Sequence, residues 1–89
     1  MSDDIDAVLA ERGSRYGEFV DHAHITQFFK NAAYDFADAQ GKILTADQKE
    51  ALDMIFHKIG RILNGDPDYA DSWVDIAGYA KLVADRLQK

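Results

Sequence analysis

The chain has no cysteine among its 89 residues. Disulfides, thiolate zinc sites and thiol nucleophiles are therefore excluded, and nothing calls for an oxidising compartment. Proline occurs once and glycine six times, so few positions interrupt a helix. No run approaches the ~20 apolar residues of a membrane span. Met1-Ser2-Asp3-Asp4 is acidic where a secretory signal would be basic, and the expected location is the cytoplasm. Basic residues are also scarce, ten against sixteen acidic, for a net charge of −6. Broad neutralisation of a nucleic-acid backbone is not expected from such a chain, although a local basic cluster can still hold a small phosphate.

What is present is helical periodicity. A chain of this length forms one domain over 1–89, with a radius of gyration of about 12 Å if compact. Ile5, Val8 and Leu9 predict a short first helix from Asp3 to Glu11, followed by a loop at Gly13-Ser14-Arg15-Tyr16-Gly17. That loop reads either as an ordinary turn or as a phosphate-wrapping segment built on Arg15. A second helix runs from about Val20 to Ala39, with Ile25, Phe28, Phe29, Ala32 and Phe36 as its stripe and Gly41 as a left-handed stop. Thr45-Ala46-Asp47-Gln48 has capping-box spacing and opens a third helix. Its stripe contains Leu52, Ile55, Phe56, Ile59, Ile62 and Leu63, and Asn64-Gly65-Asp66-Pro67 ends it. Asp71 or Ser72 is expected to cap the fourth helix, whose stripe includes Trp73, Ile76, Ala80, Val83 and Leu87. No segment alternates with period two. The fold expected is all-α, a small helical bundle of one short helix and three longer antiparallel ones.

The faces opposite those stripes carry the chemistry. On the third helix Glu50, Asp53, His57, Arg61 and Asn64 fall within about 80° of arc. They read as a solvated face with pairs such as Asp53–His57, or, at its edge, as a phosphate contact through Lys58 and Arg61. On the fourth helix Asp75, Tyr79, Leu82 and Arg86 recur on one side, which suggests either a more central helix or, as the favoured reading, a subunit interface and a homo-oligomer. Glu50 with Asp53, and Asp71 with Asp75, would supply oxygens for Mg²⁺ if the two helices met along those faces. The alternative for Asp75 is an ion pair with Arg61 or Lys58. His22 and His24 diverge by about 200° on a helix and cannot chelate one ion together.

Three elements occur in order: Glu11-Arg12-Gly13-Ser14-Arg15-Tyr16-Gly17, then His57-Lys58-Ile59-Gly60-Arg61-Ile62, then Asp71-Ser72-Trp73-Val74-Asp75-Ile76-Ala77-Gly78-Tyr79-Ala80. In these the chain resembles small proteins of tailed bacteriophages and prophages, similar to the nucleotide-modification-associated domain family. It bears a more distant likeness to the all-α nucleoside triphosphate pyrophosphohydrolases of the MazG and dimeric dUTPase group. The first resemblance implies an association with nucleotides in an infected bacterial host. The second implies Mg²⁺ on acidic residues of neighbouring helices, with Glu50, Asp53, Asp71 and Asp75 in that part. The E-E-x-x-E element of that group has no counterpart, since the second helix offers only Asp35 and Asp38.

Three functions are therefore expected in order. The first is a phage accessory protein that binds or sequesters a nucleotide or other phosphate-bearing ligand through Arg12, Arg15, Tyr16, Lys58 and Arg61, counteracting host defence without needing catalysis. The second is an acidic interaction protein that inhibits a host enzyme or defence complex. The third is a Mg²⁺-dependent pyrophosphohydrolase.

Overall fold

The computed structural model describes residues 2–89. It is a small all-α bundle of four helices, α1 (Ser2–Tyr16), α2 (Phe19–Ala39), α3 (Ala46–Asn64) and α4 (Ala70–Leu87). The Thr45 capping box forms, with Thr45 N donating to Gln48 Oε1 at 3.0 Å. Gly41 takes φ +68 just beyond α2, the left-handed stop its position predicts. Among the described residues no helix is long and apolar enough to cross a membrane.

Two ends differ from expectation. The first helix continues through Gly13-Ser14-Arg15-Tyr16 instead of opening into a loop. Gly13 needs no special backbone, and a lone helical glycine costs only about 1 kcal/mol. The break comes at Gly17, whose φ of +78 no other residue adopts cheaply. The fourth helix starts at Ala70, ahead of Asp71 and Ser72, with Tyr69 at its cap. There Asp68 N donates to Asp66 Oδ1 at 2.9 Å, an Asx turn that already bends the chain into the helix.

Helix α3 is the hub. It packs against α2, α4 and α1, while α2 and α4 do not touch each other. Tyr34 meets Asp53, Phe29 meets Phe56 with ring centroids 6.2 Å apart, and His22 meets His57, so α2 runs antiparallel to α3. Asp47 with Arg86 and Lys58 with Asp75 give the same sense to α4. The result is a three-helix layer with α1 laid against one end.

The layer encloses little. The radius of gyration is 15.3 Å, larger than the ~12 Å of a compact chain of this length. Ala51 and Ile62 are the buried apolar residues, and no large side chain is fully buried among those described. Phe28, Phe36, Leu63, Trp73 and Leu87 are each more than half exposed. The polar face of α3 that was expected to meet solvent is instead turned to its neighbours, where Asp53, His57 and Asn64 contact α2 or the turn before it.

Candidate functional site

The site depends on a crossing of two turns. The link between α1 and α2 passes directly over the link between α3 and α4. A Cβ on Gly65 would lie 2.1 Å from the Arg15 carbonyl oxygen and 2.3 Å from Tyr16 Cα. A Cβ on Gly17 would lie 2.1 Å from the Asn64 carbonyl oxygen. Backbone meets backbone at both points, so only glycine fits. Asp66 N donates to the Arg15 carbonyl at 2.6 Å. The Asn64 amide donates to the carbonyl of Tyr16 (3.0 Å), at the end of α1, and to that of Glu18 (2.9 Å), which also accepts from His22 N at 3.0 Å.

Held by this crossing, α1 leans over α2 and α3 and leaves a cleft of about 1010 Å³. Leu9, Arg12 and Tyr16 form one wall; Phe19 and His22 of α2 with His57 and Arg61 of α3 form the other. The Arg61 guanidinium lies over the Tyr16 ring, 4.0 Å from its centroid, a contact that fixes the fork without neutralising it. Among the described residues neither Arg12 nor Arg61 has a carboxylate partner. Glu18 borders the cleft as its one acid. Phe19 is 77% exposed at the rim and leaves its ring open to contact.

A histidine pair lines the inner wall. His22 Nε2 and His57 Nδ1 are 3.1 Å apart. Gly60 lets α2 approach this closely, since a Cβ there would come within 3.0 Å of the His22 ring. Burial, then the positive charge of Arg61, lowers the His22 pKa. His57 is pushed from 6.5 down to about 4, by burial first and then by His22 and Arg61. Both rings are neutral at neutral pH. His22 Nδ1 is buried against the Gly60 backbone. The wall therefore offers an imidazole pair able to gain positive charge if an anion enters beside it.

Of the ligand residues expected from sequence, the structure brings Arg12, Tyr16 and Arg61 together in the cleft. Arg15 points to the far side of α1, 3.4 Å from Glu11 and over the Tyr69 ring at 4.4 Å. Lys58 is buried against α4, 3.1 Å from Asp75. The four acids are not assembled. Asp53 accepts from the Tyr34 hydroxyl, Asp71 from the Tyr69 hydroxyl, and Asp75 pairs with Lys58, while Glu50 stays exposed. No group of three or more histidine and acidic residues placed to hold a metal exists among those described. Of the proposed interface residues, Asp75 and Arg86 are engaged within the chain, the latter with Asp47 and with Thr45 Oγ1 at 3.1 Å. Tyr79 is half-buried, and Leu82 stays exposed.

His22, His57 and Phe19 were not expected in the site. The pattern did hold a signal for one of them, because His57 and Arg61 are four apart and share a helix face. Nothing local brings His22 or Phe19 to that face.

The model of a family described as "Domain of unknown function (DUF6378)" matches residues 2–87, nearly the whole chain, and the protein belongs to that family. No curated protein and no solved structure matches it significantly.

Proposed function

We propose that this DUF6378 member binds a small phosphate-bearing ligand of the nucleotide class in the cleft between α1, α2 and α3, as a binding protein rather than an enzyme. The observation that carries the reading is that Arg12 and Arg61, which have no carboxylate partner among the described residues, both line a cleft walled by Tyr16, Phe19 and a neutral histidine pair. Arginine forks match phosphate oxygens, each charged hydrogen bond contributing about 1.5–3 kcal/mol. The open Phe19 ring suits a base, for which stacking contributes about 1–3 kcal/mol. A net charge of −6 disfavours long nucleic acid and leaves a small ligand bound by local contacts. The likeness of the three sequence elements to phage and prophage proteins supports a role in handling nucleotides, including defence signals, in an infected cell.

The test is a thermal-shift screen with nucleoside mono-, di- and triphosphates and cyclic dinucleotides, followed by calorimetry on any that bind. Arg12→Ala removes a side chain without structural partners, and it is expected to weaken binding by about tenfold to a hundredfold. Failure of every phosphate ligand to raise the melting temperature overturns the reading. A host protein retained by the same preparation would then favour the interaction-protein alternative.

A further inference from the structure

Part of the apolar stripe of each of the three long helices lies on one side of the layer, while Ile55, Ile62, Ile76 and Val83 are covered within it. At about 100° per residue, with α2 and α4 both antiparallel to α3, three sets of positions project to a common face. They are Ile25, Phe29 and Phe36 of α2, Leu52, Ile59 and Leu63 of α3, and Trp73, Ala80 and Leu87 of α4. No charged residue occupies any of these positions. His57 and Arg61 point to the opposite side of α3, where the cleft opens. One side of the layer is therefore a site; on the other, Phe36, Leu63, Trp73, Ala80 and Leu87 stay exposed, while Ile25, Phe29, Leu52 and Ile59 are partly covered by their neighbours.

We infer that a second copy of this chain covers that face, so that two layers stacked apolar side to apolar side share a single core. The area supports this occupant. The chain exposes 6511 Å², about 1,300 Å² more than a compact monomer of its mass. That excess is spread over both sides of the layer, since Leu9 and Phe19 beside the cleft are exposed too; a pairing that covered about two thirds of it on each copy would reach the standard ~1,600 Å² interface. Burial confirms how little core exists without a partner, since Ala51 and Ile62 are the apolar residues buried within one chain. A layer in that state needs a partner present whenever it folds, and a second copy always is. An isologous pairing also keeps both clefts open, because they face outward.

Sedimentation equilibrium of the wild-type protein gives the first reading, with a mass of twice the 10.0 kDa chain, or an even multiple, expected. The second uses the absence of native cysteine. Leu63, on the apolar face, and Leu82, on the other flank of α4, are 61% and 68% exposed in the single chain. If nothing covered either, the Leu63→Cys and Leu82→Cys variants would react with a water-soluble alkylating reagent at similar rates. The pairing predicts that Leu63→Cys reacts at least about tenfold more slowly, an estimate for a residue moved from solvent into a packed interface. A monomeric mass with intact helical circular dichroism overturns the inference, and so does an oligomer in which both thiols react alike. Neither reading depends on a ligand, so this inference and the proposed binding function fail separately.

Discussion

Protonating His57 would bring a positive charge into a half-buried wall already facing Arg61 and His22, which is why its pKa sits near 4 rather than 6.5. The consequence for stability has a definite sign. A depressed folded value means that the unfolded chain takes up its proton first as the pH falls. Stability from this group is therefore complete above about 6.5 and is lost progressively toward about 4. Melting temperatures followed by circular dichroism are expected to fall over that window, and His57→Gln should flatten the fall. A variant with an unchanged slope would assign the pH dependence elsewhere. A different residue controls the geometry of the same wall. Gly65→Ala drives a methyl group into the Arg15 and Tyr16 backbone, and neither can move without displacing α1. The expected cost is at least about 1–3 kcal/mol, the range for overpacking a site that cannot yield. Unfolding in urea measures it, and stability within error of wild type would show that the two turns do not hold each other.

At the scale of elements, α3 decides the architecture because it is used on several sides. Its polar residues are partners rather than a solvated face: Asn64 caps the end of α1, His57 meets His22, and Lys58 reaches Asp75 on α4. The last pair is unequal in burial, with the lysine side chain 11% exposed and the aspartate 46%. Removing the aspartate strands a charge that α4 keeps from water. Asp75→Ala is expected to lose about 1–3 kcal/mol in urea unfolding, whereas Lys58→Met should be close to neutral. Equal effects from the two changes would mean that solvent reaches the lysine freely. The helix positions themselves were legible in the sequence. Stripe spacing, the Thr45 capping box and Gly41 are signals carried within a few residues. The end of α1 differs from the expectation because Gly13 and Gly17 look alike in sequence, yet only Gly17 has a positive φ and lies against the Asn64 backbone.

The whole molecule divides into two sides with different tasks. One carries the cleft with Arg12, Arg61 and the histidine pair; the other presents Phe36, Leu63, Trp73 and Leu87, which a single chain leaves more than half exposed. If the second copy completes the core, folding and association are one equilibrium, and mass action makes the melting temperature rise with protein concentration. Differential scanning calorimetry over a hundredfold concentration range is expected to show a rise of several degrees. A melting temperature independent of concentration would place the stability within one chain.

The sequence by itself determined that the chain is all-α, which residues form each apolar stripe and, apart from the end of α1 and the start of α4, where its helices lie, because periodicity and turn chemistry act over one or two turns of chain. It also singled out Arg12, Tyr16 and Arg61. Only the tertiary structure decided which side of each helix meets a neighbour. It turned Asp75 and Arg86 inward against α3, left the Trp73 stripe open, and carried His22 and Phe19 to the arginines. The physical reason is the crossing at Gly17 and Gly65, where two backbones far apart in sequence come within a distance that no side chain permits.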